Sequence, residues 1–149
     1  MKFLLTRELG RCARWLRILG FDARYEPSGN KAFCMLEALR EERVVVTRNM
    51  RFGRRHGGSV VFLRSNDLTG QIRELRDQLG LVVDRSRFFS RCILCNEPLA
   101  VIQKAAVEKE VPPYVFGTVD AFRRCPVCRR IYWKGTHWEN VEEILKQVC

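Results

Sequence analysis

The sequence predicts an α/β fold in which a mostly parallel sheet flanked by helices is followed by a small cysteine-rich module. Over residues 1–85, short apolar runs typical of buried strands alternate with segments of helical periodicity. Such alternation forms βαβ units, and right-handed crossovers place helices on both faces of the sheet. Two C-x-x-C pairs fall within residues 86–149. We therefore predict an α/β domain over residues 1–85 and a cysteine-rich module with a C-terminal helix over residues 86–149.

The first strand and helix follow from the spacing of apolar residues. The run at residues 2–6 predicts a buried strand. Residues 8–19 have helical periodicity, and the apolar residues on one side of this helix are Leu9, Cys12, Ala13, Leu16 and Leu19. Gly20 supplies a C-terminal stop, and residues 21–25 predict a second strand.

Turn residues and caps delimit the remaining elements of the first part. Ser28 or Asn30 can cap a second helix that ends near residue 42. We expect the inward-facing residues of this helix to be Phe33, Leu36 and either Ala38 or Leu39. The further predicted elements are strands at residues 43–47, 59–63 and 81–83, and a helix that is capped by Asn66 or Asp67 and ends at Gly80.

The charge of the chain indicates a polyanionic partner. The 149 residues include 27 basic and 17 acidic side chains, a net charge of +10, and 21 of the basic residues are arginine. Arginine makes planar, bidentate contacts with phosphate and stacks on bases. A solvated basic surface without a partner is the alternative. The candidate nucleic-acid contacts are Arg7, Arg11, Arg14 and Arg17 of the first helix, and Arg48, Arg51, Arg54 and Arg55 of a glycine-rich loop, where Phe52 can stack on a base.

The paired cysteines predict a structural zinc site. Cys92 and Cys95 form the first pair, and Cys125 and Cys128 form the second, with 29 residues between the pairs. Zinc prefers a tetrahedral set of four thiolates, and a site with four cysteine ligands leaves no open position for water. Disulfides and a redox dithiol are the alternatives. The N-terminus becomes charged too early for a secretory signal, so we expect a cytoplasmic protein with reduced cysteines.

The carboxyl ends of the predicted strands are polar and form the expected ligand-binding edge of the sheet. A divalent metal at this edge would need several carboxylates, and the nearest acids are Glu8 and Asp67, with Glu37 inside the second helix. Each of them also fits an ordinary helix start or a solvated surface position. The two histidines, His56 and His137, are too far apart in sequence to indicate a catalytic dyad.

Several blocks of the sequence resemble the Mut-seven C-terminal RNase domain family. They are Phe3-Leu4-Leu5, Leu9-Gly10-Arg11, residues 13–17, residues 19–22, Val46-Thr47-Arg48, both cysteine pairs and residues 131–138. The resemblance implies a PIN-like α/β fold with a C-terminal zinc ribbon. It also implies a ribonuclease whose strand-end acids hold Mg²⁺ or Mn²⁺. At the positions of these acids this sequence has Thr6, Asn30 and Asn49, and only Asp67 keeps a carboxylate.

Three functions remain open from the sequence. The first is a PIN-like ribonuclease with a reduced metal site near Asp67, Asn49, Thr6 and Glu8. The second is a catalytically inactive module that binds RNA through its arginines. The third is a protein-interaction module in which the zinc ribbon is the docking surface. No stretch approaches the roughly 20 apolar residues of a membrane-spanning helix, so a membrane partner is not expected.

Overall fold

The computed structural model describes residues 1–52, 60–135 and 137–148, and in the last helix it describes the side chains of residues 141–146. The elements of the α/β layer are β1 (Lys2–Thr6), α1 (Gly10–Ile18), β2 (Asp22–Glu26), α2 (Lys31–Glu41), β3 (Val44–Thr47), β4 (Val60–Phe62) and α3 (Leu68–Leu79). They are followed by β5 (Ala100–Ile102), α4 (Pro113–Thr118), β6 (Phe122–Arg124), β7 (Ile131–Trp133) and α5 (His137–Val148).

The first four strands form one parallel sheet in the order β2-β1-β3-β4. Alternate residues of β1 face opposite sides, as the period of a strand requires. Phe3 and Leu5 pack in a core with residues of α1, α3 and α5, whereas Leu4 packs with Val45 and residues of α2. Helices therefore cover both faces, and the predicted α/β class is confirmed.

Of the residues of helix α2 that were predicted to face inward, Ala38 is buried as expected, whereas Phe33, Leu36 and Leu39 are exposed. Leu36 and Leu39 are 64% and 68% exposed, and Phe33 is also exposed, whereas Cys34 and Ala38 are buried. The space above Leu4 and Val45 is filled by these two smaller side chains. Hydropathy alone could not distinguish the two apolar stripes of this helix, because the choice depends on the sheet residues beneath it.

Two of the predicted cap residues begin helices. Asn30 and Asp67 are the N-caps of α2 and α3, and their side chains accept hydrogen bonds from the amides of Phe33 (3.0 Å) and Gly70 (2.8 Å).

The predicted edge strand at residues 81–83 is wrong. The chain turns at Gly80 in a left-handed conformation and continues without strand pairing, with Leu81 buried, Val83 packed partly against the main core and Val82 82% exposed.

The last 50 residues contribute to two separate cores. Strands β5, β6 and β7 form an antiparallel sheet in that order, over a small core of Val107, Val111, Val115 and Phe122. Val141 and Leu145 of α5 instead lie in the main core with α1 and α3. The C-terminal helix therefore packs on the α/β layer, and the division between residues 85 and 86 stays a prediction. Among the described helices, none has both the length and the apolar character required to span a bilayer.

Candidate functional site

The four paired cysteines converge in one cluster. The sulfur atoms of Cys92, Cys95, Cys125 and Cys128 all lie within 4.8 Å of one another, and the Sγ atoms of Cys92 and Cys128 are 3.7 Å apart. Tetrahedral zinc with Zn–S bonds of about 2.3 Å requires sulfur atoms about 3.8 Å apart. In the described part of the chain this is the one group of at least three potential metal ligands. The donors therefore fit a single zinc ion.

The two cysteine turns have the same backbone geometry. In the first, the amide of Asn96 donates to the carbonyl of Cys92 at 2.9 Å, and in the second, the amide of Arg129 donates to that of Cys125 at 3.0 Å. Asn96 and Arg129 both have positive φ, 68° and 63°. Non-glycine residues rarely adopt this conformation, and asparagine does so most readily. The closed turns direct both sulfur atoms of each pair to one point.

Tyr132 supports the cysteine cluster. Its hydroxyl lies 3.1 Å from the Sγ of Cys92 and accepts a hydrogen bond from the amide of Ile93 at 3.2 Å. Burial opposes ionisation of Cys92, but the hydrogen bonds from Tyr132 and from the amides of Cys95 and Leu94 lower its pKa to about 6. Burial and the neighbouring Cys92 raise the pKa of Tyr132. Burial and the neighbouring cysteines raise the pKa values of Cys95 and Cys125, so Cys92 is the thiol of these three that most readily forms the metal-binding thiolate.

The first cysteine turn is attached to the free edge of the parallel sheet. The side-chain amide of Asn96 accepts from the backbone amide of Ala23 at 2.9 Å and donates to the carboxylate of Asp22 at 2.7 Å. Arg43 donates to the same carboxylate at 2.5 Å, and Arg91 lies 3.7 Å from its second oxygen. Burial would raise the pKa of Asp22, but these hydrogen bonds and charges lower it.

Arg17 completes this junction and is not on the exposed side of α1, where the helical spacing placed it. It is 7% exposed and donates to the carbonyls of Ala23 (2.7 Å), Ile93 (2.8 Å) and Leu94 (2.8 Å). Its role is to hold the cysteine turn against the sheet. The helical spacing did not predict the burial of Arg17, because Ile93 and Leu94, which cover this part of the helix, lie 76 and 77 residues away along the chain.

Glu8 is fixed at the carboxyl ends of β1 and β3. One of its carboxylate oxygens accepts from the hydroxyls of Thr6 (2.6 Å) and Thr47 (3.0 Å) and from the amide of Arg48 (2.8 Å). Burial opposes ionisation of Glu8, but these three hydrogen bonds outweigh it and lower the pKa. Thr6 is therefore a neutral group that positions a neighbouring carboxylate.

A cavity of about 280 Å³ opens beside Glu8 and brings Asp67 to the same place. Its lining also includes Arg11, Arg48 and Asn66, and the guanidinium of Arg48 donates to the side chain of Asn66. The ends of β1, β3 and β4 thus meet as predicted. The cavity joins two carboxylates from distant parts of the sequence with two guanidinium groups.

The other strand-end positions have local roles. Asn49 is exposed, and its side chain accepts from the amide of Phe52 at 3.2 Å, while Asn30 caps α2 after β2. Phe52 is 2% exposed and packs with Leu4, so it does not offer a ring to a base. Arg51 is exposed, whereas Arg54, Arg55, His56 and the side chain of His137 lie outside the described residues.

Glu26 is a strand-end acid that the sequence reasoning missed. It pairs with Thr6 in the sheet register. Burial raises the pKa of Cys34, and the charges of Glu26 and Glu8 add to this effect. The predicted second strand stopped at residue 25, one residue short of Glu26. In the parallel register of β1 and β2, Glu26 is the partner of Thr6 at the strand end, so a prediction of this register would have identified Glu26.

A groove of about 770 Å³ runs along α1 to the first cysteine turn. Its lining includes Arg11, Arg14, Trp15 and Tyr25, the largely buried Arg17, and Leu94 of the cysteine turn. Arg11 also lines the cavity beside Glu8, so the groove and the cavity meet at this side chain. Arg7 lies next to the groove, and its backbone carbonyl accepts from the hydroxyl of Tyr25 at 2.8 Å.

Comparison with known proteins agrees with these features. The family model for the Mut7-C RNAse domain matches residues 1–145, which is nearly the whole chain and includes both the strand-end cavity and the cysteine cluster. No curated protein and no solved structure matches the chain. The family resemblance drawn from the sequence is thereby confirmed: the chain belongs to the Mut7-C RNAse domain family.

Proposed function

We propose that this protein binds single-stranded RNA along α1, with the strand-end cavity at one end of the bound segment and a structural zinc ion at the cysteine cluster. The observation that carries the proposal is the position of Arg11, which lines both the α1 groove and the cavity. A backbone phosphate at Arg11 would place neighbouring nucleotides in the groove on one side and in the cavity on the other.

The chemistry of the α1 groove suits unpaired RNA. Arg11 and Arg14 supply positive charge, and Trp15 and Tyr25 supply flat apolar surfaces. Proteins that bind single strands combine a basic groove with aromatic side chains, because every base has a face that can stack. Family membership supports a role connected with RNA.

The cavity favours binding over hydrolysis. Glu8 already accepts three hydrogen bonds on one oxygen, and Asp67 uses one oxygen to cap α3. Mg²⁺ in nucleases is held by convergent carboxylates, and two guanidinium groups beside them oppose binding of a further cation. A ribonuclease is the second candidate, and the observation that favours it is the meeting of Glu8 and Asp67 in one cavity.

Charge reversal of the α1 groove tests the binding proposal. The double variant Arg11→Glu, Arg14→Glu is expected to bind labelled single-stranded RNA at least about tenfold more weakly, since two phosphate contacts become repulsive. Binding is measured by fluorescence anisotropy at several salt concentrations, and the salt dependence is expected to become shallower. The matched control is Lys31→Glu, Arg40→Glu, which makes the same change in net charge on exposed positions of α2. Equal weakening by both pairs would contradict a specific groove.

A cleavage assay separates the two candidates. Zinc-loaded protein is incubated with end-labelled single-stranded RNA and Mg²⁺ or Mn²⁺, and we expect bound but intact RNA. Asp67→Asn removes the charge and retains an oxygen that can cap α3, and Asp77→Asn on the exposed side of the same helix is the control. Cleavage by the wild type that is lost in Asp67→Asn and kept in Asp77→Asn would establish the ribonuclease instead.

A further inference from the structure

A second groove lies between the 3₁₀ turn at Arg85–Arg87 and the antiparallel sheet of the cysteine-rich part. Its volume is about 390 Å³, and neither the strand-end cavity nor the α1 groove shares any of the residues that line it. Strands β6 and β7 form one wall, where Trp133 is 38% exposed, and Phe89 forms part of the other. We call it the ribbon groove.

The ribbon groove combines positive charge with aromatic surface. Arg85, Arg123 and Lys134 line it, and none of the described residues that line it is acidic. Trp133 packs on Phe122 with a ring separation of 6.3 Å and keeps part of its surface exposed to the groove. Arg85 lies 3.9 Å from Glu142, and the side chain of Arg85 is 70% exposed, so solvent weakens the pair and a phosphate can replace it.

The ribbon groove is adjacent to the α1 groove. The amide of Phe89 donates to the carbonyl of Ile18 at 2.8 Å, and Ile18 lines the α1 groove. The carbonyl of the same Phe89 accepts from the guanidinium of Arg123 at 3.2 Å, and Arg123 lines the ribbon groove. Phe89 is therefore hydrogen-bonded to a residue of each lining, so the linings of the two grooves lie next to each other.

We propose that the ribbon groove binds an unpaired nucleotide of the RNA strand that occupies the α1 groove, with the base stacked on Trp133 and phosphate contacted by Arg85. The proposal rests on the proposed function and adds a second contact site to it. The charge favours a nucleic acid over an apolar peptide, because phosphate complements the positive charge of the lining and an apolar peptide does not.

The length of the RNA provides the test. One oligonucleotide of about four nucleotides and one of about twelve are compared, since the short one can fill only one groove. Trp133→Ala is expected to weaken binding of the long RNA about fivefold or more, which is the loss typical of one stacked base, and to leave the short RNA unaffected. Trp133→Phe keeps a ring and is expected to bind close to the wild-type level. Arg85→Glu, whose side chain lies outside the antiparallel sheet, should also weaken only the long RNA.

Ultraviolet cross-linking of the long RNA, followed by mass spectrometry, is expected to identify the peptide that contains Trp133. Unchanged affinity of the Trp133→Ala and Arg85→Glu variants for the long RNA would overturn the proposal and leave an apolar peptide as the better ligand for this groove. In that case the Arg11→Glu, Arg14→Glu variant would still report on the proposed function. Failure of the wild-type protein to bind any RNA would instead overturn the proposed function.

Discussion

Replacing Cys92 by serine is expected to reduce the zinc content of the purified protein from one ion per chain to a small fraction of that value. The Sγ of Cys92 is the most connected atom of the cluster, with contacts to Tyr132, to the amide of Cys95 and to the Sγ of Cys128. A structural zinc ion contributes about 10–16 kcal/mol of apparent binding free energy in small zinc modules, and this free energy is coupled to folding. The variant should therefore lose several kilocalories per mole of stability.

Loss of zinc in Cys92→Ser is expected to weaken the contacts between the first cysteine turn and the α/β layer as well. Asn96 and the carbonyls of Ile93 and Leu94, all in the first cysteine turn, contact β2 and Arg17. The backbone amide of Ala23 on the sheet edge donates to Asn96, so its hydrogen exchange should accelerate when the turn loosens. Exchange at Val46, at the centre of the sheet, should change much less.

Metal analysis and hydrogen-exchange mass spectrometry check this prediction. Cys34→Ser is the matched control, because Cys34 is buried among residues of α2 and β3 and is not part of the cluster. The control is expected to lose some stability through burial of a hydroxyl and to keep one zinc ion per chain. A full complement of zinc in Cys92→Ser, or zinc loss in both variants, would contradict the assignment of the cluster.

The local patterns of the sequence were sufficient for the α/β alternation and for the two cysteine turns. The strands have apolar runs, and each cysteine pair closes its own turn through contacts within six residues. Neither inference required knowledge of distant parts of the chain. For the same reason each helix cap was one of two candidates offered by the sequence, Asn30 beside Ser28 and Asp67 beside Asn66.

The features that the sequence did not reveal depend on contacts between distant segments. The buried face of α2 depends on the sheet residues beneath it, and the strand-end position of Glu26 depends on the register with β1. Phe52 follows a basic segment, yet it packs beneath the sheet with Leu4. In each case hydropathy allowed two arrangements, and packing across the sheet selected one.

Arg17 shows most clearly how a distant contact changes the role of a residue. Arg11 and Arg14, on the same helix, remain exposed and line the α1 groove. Arg17 is one turn further on, where Ile93 and Leu94 cover the helix, and its guanidinium satisfies their carbonyls. With Asn96 it also pairs both backbone groups of Ala23 on the edge of the sheet. An unpaired strand edge is prone to intermolecular pairing, so this junction protects the fold as well as joining its two parts.

Arg17→Ala is therefore expected to lower the free energy of unfolding by about 3 kcal/mol, since three carbonyls lose a charged donor and a buried side chain leaves a cavity. Arg17→Lys keeps the charge but offers a single donor group in place of the planar fork, so we expect an intermediate loss. Arg14→Ala, one turn away on the exposed side, should change stability by less than about 0.5 kcal/mol.

Chemical denaturation of the zinc-loaded variants measures these differences in stability. For RNA affinity we expect the reverse order, with Arg14→Ala more affected than Arg17→Lys. Arg14→Ala is expected to weaken RNA binding while leaving the unfolding midpoint unchanged, because Arg14 lines the α1 groove and is exposed. Arg17→Lys is expected to lower the midpoint and, below it, to bind RNA as the wild type does. Loss of RNA affinity in Arg17→Lys at unchanged stability would show that Arg17 contacts the RNA directly. Both arginines line the α1 groove, but only Arg17 is buried at the junction, so the pair of measurements separates RNA contact from support of the fold.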